Sequence, residues 1–170
     1  MSPRVALPVS IGLMGAIDTI LFARFGLPFW AGFVALAAVL QAGGDMSALK
    51  QTMIGNAFGC VCASVAALIW LSLPMSGDAS RFVWGGVIIG AVMIIMCLVT
   101  NQKIFSGAAL SLYGYGITWG FLVLTPGAEQ VDSFTGLHRY NALLAVVVTM
   151  WAGAILGLAA VKLAGMLSKH

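Results

Sequence analysis

Long uninterrupted apolar runs dominate the pattern of this chain, and short polar or glycine- and proline-containing breaks separate them. An α-helix needs about 20 apolar residues to cross a roughly 30 Å hydrocarbon core, whereas the strands of a membrane barrel would alternate apolar and polar residues. The pattern therefore predicts an all-α integral membrane protein. Six transmembrane helices are predicted, over residues 5–23, 28–41, 47–73, 81–100, 104–124 and 140–166.

The second predicted helix is short for a membrane passage, because about 14 residues rise only some 21 Å at 1.5 Å per residue. It is either tilted, re-entrant or broken, or it continues through Gly43 and Gly44. Irregular backbone at membrane depth is tolerated only where protein or a water-filled cavity covers it. Short apolar segments of this kind point to transport sites.

The chain also repeats its own pattern of glycines. The matched pairs are Gly15 with Gly90 and Gly32 with Gly107 at a shift of 75 residues, and Gly55 with Gly153 and Gly59 with Gly157 at a shift of 98 residues. Residues 5–73 and 81–166 are therefore predicted to be two repeat halves of a single transmembrane domain that spans residues 1–170. Because each half has three helices, an odd number, the halves would form a 3+3 inverted repeat.

Composition narrows the class further. Apolar residues make up 61% of the 170 positions and charged residues 8%, and the mean hydropathy is +1.05. An average soluble domain carries roughly 25% charged residues, and a disordered chain needs low hydrophobicity. A soluble globule and a disordered chain are therefore both excluded, and the lipid bilayer is the expected partner.

The basic residues predict the orientation. They stand singly at the ends of the apolar runs, so no patch for nucleic acid is present. One predicted side carries Arg4, Lys50, Lys103, Lys162 and Lys169, and the other carries Arg24, Arg81 and Arg139. The excess of positive charge on the first side predicts that both termini are cytoplasmic.

Glycines four positions apart recur in the predicted helices, as Gly55/Gly59, Gly86/Gly90, Gly116/Gly120 and Gly153/Gly157. Such pairs allow helices to approach closely in lipid, where van der Waals packing drives association. They predict helix packing and a homo-oligomer. The alternative is that some of them thin the wall of a pore.

A few polar residues inside the apolar runs are the candidates for a solute path. Asp18 lies in the middle of the first helix, where an acid usually faces a cavity or a partner; the alternative is a protonated acid hydrogen-bonded between helices. Asn56 in the third helix could line the same cavity or join helices. The fifth helix places hydroxyl and aromatic groups on one face, at Ser111, Tyr115, Thr118 and Trp119. The alternatives there are interfacial aromatics and hydroxyls bonded to their own backbone.

The sequence offers few residues for enzymatic, redox or metal chemistry. Cys60, Cys62 and Cys97 lie inside apolar runs and are expected to be packing residues. No nucleotide loop, hydrolase motif or zinc motif is present. The chain is therefore predicted not to be an enzyme and to hold no metal or cofactor. The connection 125–139, with Glu129, His138 and other polar residues, is either a lid or a surface loop.

Several short motifs carry a family resemblance. They are Trp30-Ala31-Gly32-Phe33, the following Gly43-Gly44 with Ala48-Leu49-Lys50, and Met96-Cys97 before the fifth helix. Together they resemble the YcdZ-type bacterial inner-membrane proteins, a domain family of unknown function. The resemblance implies a small multi-pass protein of the bacterial inner membrane, and it supplies neither a substrate nor site residues.

These observations predict a channel or facilitator for a small polar solute that is uncharged or weakly basic, of the urea, amide or ammonium class. Asp18, Asn56 and the polar face of the fifth helix would line its path. One alternative is a proton-coupled exporter in which Asp18 relays the proton. The other is a non-transporting accessory subunit of a larger membrane complex, with the glycine faces as partner interfaces.

Overall fold

The computed structural model describes residues 1–74, 77–102, 107–128, 130–136 and 141–168. Within these ranges the secondary structure is helical, without a β-strand. The helices are α1 (Pro3–Phe25), α2 (Phe29–Gln41), α3 (Met46–Ser72), α4 (Asp78–Val99), α5 (Ala108–Leu124), α6 (Asp132–Thr135) and α7 (Ala142–Ser168). The all-α prediction is confirmed. The predicted helix starts at 104 and 140 lie outside the described residues, as do Lys103, Glu129, His138, Arg139 and Lys169.

Four of the described helices are long and apolar enough to cross a membrane: α1, α3, residues 79–99 of α4, and α7. Helices α2 and α5 are apolar but have only 13 and 17 residues. At 1.5 Å per residue they rise about 20 Å and 26 Å, which is less than a roughly 30 Å hydrocarbon core. The membrane class is therefore supported. Six full-length spans were predicted, and four of the described helices are long enough to be such spans.

Glycines end α1 and separate α2 from α3. Gly26 has φ 66° and its N–H donates to the carbonyl of Ala23, so α1 ends in a left-handed cap that a side chain would strain. Gly43 and Gly44 have φ 119° and 70°. The alternative that the second helix continues through them is therefore wrong, and α2 ends at Gln41.

The connection that precedes α7 contains an element that sequence did not reveal, the one-turn helix α6. Asn141 fixes it to α7, because its Nδ2 donates to the carbonyls of Phe134 (3.0 Å) and Gly136 (2.9 Å). Its Oδ1 accepts the N–H of Leu144 in the first turn of α7. This part of the connection is folded against the start of α7.

The chain divides into two compact units. Unit 1 comprises Met1–Met53 and Val148–His170, and unit 2 comprises Ile54–Val147. Helices α3 and α7 each contribute one part to each unit.

In unit 1, helix α1 buries one narrow stripe of residues at multiples of four positions: Ala6, Ser10, Asp18 and Phe22. The rest of its surface is largely exposed and apolar, with Ile20 72% exposed. A helix that buries one stripe and exposes apolar side chains elsewhere suits a position between protein and lipid. The polar members of the stripe, Ser10 and Asp18, therefore face protein and not lipid.

In unit 2, α3, α4 and α5 share a core built on Ala63, Ala66, Met96 and Tyr115. The outer face of α4 is apolar and open, with Phe82 77% exposed. Water-soluble monomers rarely expose an apolar face of this kind, and such a face suits contact with lipid. Of the buried polar residues of this unit, Asn56 and Ser64 belong to α3, and Ser111 and Thr118 belong to α5.

Candidate functional site

The carboxyl group of Asp18 is completely buried in unit 1, and neither of its oxygens has a hydrogen-bond partner in the described part of the chain. It lies directly against Gly32 of α2. A Cβ atom on Gly32 would overlap Oδ1 of Asp18 and would lie 2.7 Å from Oδ2. The absence of a side chain at Gly32 is therefore what makes room for the acid.

Helix α7 packs against Gly32 through Gly153. A Cβ atom on Gly153 would overlap the carbonyl oxygen of Gly32 and lie 2.5 Å from its Cα. The backbones of α2 and α7 are therefore in near contact at Gly32, and α1 reaches the same glycine through the Asp18 side chain. An ionised acid inside a membrane costs several kcal/mol, so a buried acid in an apolar helix is a candidate functional residue.

Glycines also build the contact between α3 and α5 in unit 2, which we call the α3–α5 crossing and define by Gly55, Gly59 and Gly114. A Cβ atom on Gly59 would overlap the carbonyl oxygen of Ser111, and one on Gly114 would overlap that of Asn56. A Cβ atom on Gly55 would lie 2.6 Å from Cβ of Leu110. The two backbones therefore touch, which is the geometry that small residues allow in lipid.

Two polar side chains are enclosed at the α3–α5 crossing. Asn56 and Ser111 both have 0% exposure. The amide atoms of Asn56 and the hydroxyl of Ser111 all lack a hydrogen-bond partner among the described residues. The interpretation of Asn56 as a residue that joins helices through its amide is not supported by any such bond. The crossing therefore offers donors and acceptors that the described chain does not use.

The remaining residues of the predicted polar face on α5 make structural contacts. Thr118 donates to the carbonyl of Gly114 in its own helix at 2.9 Å, and Tyr115 donates to the carbonyl of Ile89 in α4 at 2.9 Å. The ring of Trp119 packs edge-on against Trp70, with ring centroids 5.9 Å apart. Of the four residues predicted on this face, Ser111 and Trp119 each have a buried polar atom, Oγ and Nε1, that lacks a partner in the described chain, and Ser111 is the fully buried one.

Asp18 belongs to unit 1, whereas Asn56 and the polar face of α5 belong to unit 2. The structure therefore describes two groups of candidate residues, one in each unit. Sequence reasoning missed two further buried hydroxyls without a described partner, those of Ser10 and Thr52 in unit 1. Ser10 could have been found from its position on the same buried stripe as Asp18.

The eight predicted packing glycines fall into groups. Close helix contacts involve four of them, Gly55, Gly59, Gly153 and Gly157. A Cβ atom would meet nothing within 4 Å at three others, Gly86, Gly90 and Gly116. Gly120 is partly buried. For those three glycines, close packing within the chain is not observed, because their side of the helix faces open space; packing against another copy stays a prediction.

A groove along α4 in unit 2 is a weaker candidate than these sites. It is open, encloses about 540 Å³, and its walls include Gly90, Met93, Ile94, Cys97 and Leu98. Its lining is almost entirely apolar, so it fits a lipid chain better than a polar solute. No group of three or more His, Cys, Asp or Glu side chains that could hold a metal ion occurs among the residues described.

Comparisons with known proteins identify a family and add no activity. The family model described as "Protein of unknown function (DUF1097)" matches residues 8–165. No curated protein and no solved structure matches the chain. Membership of a family of unknown function is thereby confirmed, whereas the narrower YcdZ-type resemblance stays an expectation.

Proposed function

The chain belongs to the DUF1097 family of proteins of unknown function, and we propose that it moves a small, polar, uncharged solute of the urea or amide class across a membrane. One observation carries this proposal: the amide of Asn56 and the hydroxyl of Ser111 are fully buried at the α3–α5 crossing without a described partner. The solute would supply the missing hydrogen bonds as it passes.

Buried polar groups without hydrogen-bond partners are energetically costly. Leaving a buried donor or acceptor unpaired costs about 1–3 kcal/mol, and no water replaces the lost bond in the hydrocarbon region. A side-chain amide offers two donors and one acceptor, and a hydroxyl offers one donor and two acceptor lone pairs. Urea and small amides present the complementary set of groups within one small molecule. A weakly basic solute of the ammonium class has donors alone and matches less of it.

The narrowness of the crossing sets the size of the solute. Because the backbones of α3 and α5 touch at Gly59 and Gly114, a path beside Asn56 opens only when the helices separate slightly. This geometry favours a facilitator with a narrow, transient path and disfavours a wide, permanently open pore.

The proposal includes the inverted repeat. Two glycine contacts, one in each unit, support it because they join residues that the repeat makes equivalent. In unit 1, a Cβ atom on Gly157 would lie 2.9 Å from the carbonyl oxygen of Leu36. In unit 2, a Cβ atom on Gly59 would overlap the carbonyl oxygen of Ser111. Gly59 and Gly157 are separated by the 98-residue shift, and Leu36 and Ser111 by the 75-residue shift. Both shifts were identified from the sequence alone.

Under this repeat, the two short helices α2 and α5 are equivalent. A pair of unusually short hydrophobic segments at corresponding positions of two halves is a pointer to the binding site of a transporter. Asp18 lies against α2, and the α3–α5 crossing is formed by α5. The short helices thus support both the repeat and the transport proposal, with six passages if α2 and α5 tilt little and the bilayer thins around them.

The proposed location is the bacterial inner membrane, with both termini in the cytoplasm and several copies of the chain assembled. The N-terminal ammonium of Met1 donates to the carbonyl of Leu167 at 3.1 Å. This contact supports an arrangement with both termini on one side, which an even number of passages gives. The cytoplasmic assignment rests on the excess of basic residues on that side.

The proposal is tested by stopped-flow light scattering on liposomes that contain the purified protein, challenged with urea, acetamide, glycerol or ammonium. We expect urea and acetamide to enter faster than in empty liposomes. Asn56→Leu should remove that gain, because it replaces the unpaired amide with an apolar side chain of similar size. Asn101→Leu is the matched control, since Asn101 is an exposed amide at the end of α4.

Two results would contradict the proposal. The first is equal permeability of protein-containing and empty liposomes to all four solutes, with the protein folded by circular dichroism; this would favour the accessory-subunit alternative. The second is a urea permeability that Asn56→Leu and Asn101→Leu leave equally intact, which would place the path elsewhere.

A further inference from the structure

We propose that Asp18 is a proton-binding site whose occupancy controls the contact between α1 and α2. The site consists of the Asp18 carboxyl group and the bare Cα of Gly32, with Gly153 behind it. The inference adds a coupled proton to the proposed function. It rests on that function only where it concerns solute movement, since the proton site can be measured without any solute.

The geometry favours a proton over a metal ion. Gly32 presses against both oxygens of Asp18, and a single Cβ atom there would already overlap Oδ1. Hard metal ions in proteins take six or more oxygen ligands, or keep several waters. The Asp18 carboxyl is the sole acid in the part of unit 1 that these contacts bring together, and the hydroxyl of neighbouring Thr19 is donated to the carbonyl of Gly15 at 3.0 Å. A proton needs one oxygen and almost no space.

The surroundings supply no charge to balance an ionised Asp18. Helix α2 has no titratable or charged side chain over its whole length. On α1 the charged residues are Arg4 and Arg24, and on the described part of α7 the charged residue is Lys162; all three are exposed. An uncompensated carboxylate in this contact would lose its hydration without gaining a counter-charge, whereas the neutral acid forfeits about one hydrogen bond. The closed contact therefore fits the protonated form.

The chemical step is a simple protonation: one Asp18 oxygen gains an O–H bond, and nothing is oxidised or reduced. Release of the proton creates a carboxylate that must find water or a donor. Because Gly32 covers both oxygens, water reaches them only if α1 and α2 separate at this point. A ligand shifts a conformational equilibrium by its differential affinity for the two states, so a proton that is held better in the closed contact stabilises that contact.

The test is isotope-edited infrared difference spectroscopy on the full-length protein in liposomes, titrated between acid and alkaline pH. The chain has five carboxyl side chains, and four of them are Asp. Protein labelled with carbon-13 at the Asp carboxyl should show a protonated-acid carbonyl band at neutral pH. The band should disappear reversibly as the pH rises, and a carboxylate band should replace it.

Asp18→Asn should lose this band, and Asp45→Asn should retain it. Asp45 is the matched control, because it is exposed and its carboxylate accepts the N–H of Ala48, a contact that the amide oxygen of Asn can keep. Gly32→Ala should move the titration of the band to lower pH, since the added Cβ pushes Asp18 out of its enclosed position.

Two results would overturn the proton site. A neutral-pH spectrum in which the Asp18 carboxyl is already ionised would contradict the proton site, and so would a band that Asp18→Asn leaves unchanged in a folded protein. Neither result bears on urea permeability. Conversely, urea entry that Asn56→Leu does not affect would contradict the proposed function and leave the proton site standing.

Discussion

A glycine pair on one turn of α5 isolates the energetic contribution of the α3–α5 crossing. Gly114 faces α3, where an added Cβ would overlap the carbonyl oxygen of Asn56 and lie 2.8 Å from its carbonyl carbon. Gly116 lies two residues further on the same helix, and an added Cβ there would meet nothing within 4 Å. Changing each glycine to alanine adds the same methyl group to the same helix, in contact at one position and in open space at the other.

The expected difference in unfolding free energy between the two variants follows from the distances at the two glycines. Both variants gain the same intrinsic helix propensity, roughly 1 kcal/mol, so that contribution cancels in their difference. Carbon atoms are in optimal contact at about 3.5–4.0 Å, and backbone cannot rotate away as a side chain can. In Gly114→Ala, helix α3 must therefore retreat from the new methyl group by at least about 0.7–1.2 Å, because the carbonyl oxygen of Asn56 lies closer still than its carbonyl carbon. Overpacking of this kind costs about 1–3 kcal/mol, which is the expected difference between Gly114→Ala and Gly116→Ala.

The assay is equilibrium unfolding in mixed micelles by titration with a denaturing detergent, followed by circular dichroism and tryptophan fluorescence. We expect Gly116→Ala to be as stable as the wild type or slightly more stable, and Gly114→Ala to be less stable than Gly116→Ala by the stated difference. Equal stability of the two variants would refute the reasoning, because it would mean that α3 and α5 do not touch at Gly114.

Two further predictions concern a second glycine contact, between α2 and α7, and a hydrogen bond from α5 to α4. Gly153→Ala should be less stable than Gly165→Ala by about 1–3 kcal/mol in the same titration, because a Cβ meets the Gly32 backbone at the first position and open space at the second; equal midpoints would contradict the α2–α7 contact. Tyr115→Phe should lower stability by about 0.5–1.5 kcal/mol, because it removes the hydrogen bond to α4; an unchanged midpoint would show that this bond contributes nothing.

Apolar run length made the helices predictable from sequence, and breaker residues set most of their ends. The end of α2 at Gln41 follows from Gly43 and Gly44, whose positive φ values a helix does not use. The number of membrane passages was less predictable, because α2 and α5 are apolar enough but too short by length alone. The one-turn helix α6 has no periodic signal, since four residues are too few to show one.

The candidate site was predictable in part, for a physical reason. A polar residue inside an apolar run signals that something in the fold accommodates it, and Asp18, Asn56 and Ser111 are all fully buried. Sequence could not reveal which hydroxyls would bond to nearby carbonyls, as those of Thr118 and Tyr115 do. For Tyr115 the partner depends on which helix lies opposite, whereas Thr118 bonds within its own helix, which was one of the alternatives that the sequence left open.

The glycines show even more clearly that sequence alone does not reveal which helix lies opposite a residue. Gly55 and Gly86 each begin a pair with four-residue spacing, but Gly55 faces another helix and Gly86 faces open space. Gly32 and Gly114, which make contacts as close as any, belong to no such pair in the prediction. Spacing identifies a face on which close packing is possible, and tertiary structure decides whether a neighbour is there.

The most direct test of the central claim is whether the α3–α5 crossing is reached by water and solute. Ser111→Cys, in a protein whose Cys60, Cys62 and Cys97 are replaced by alanine, is treated in liposomes with a small, membrane-impermeant thiol reagent. We expect Ser111→Cys to react, and urea to slow the reaction. Ser64→Cys is the control that should not react, because Ser64 is a buried hydroxyl whose bond to the carbonyl of Cys60 is satisfied. Failure of Ser111→Cys to react, at full folding and in the absence of urea, would contradict a solute path through the crossing.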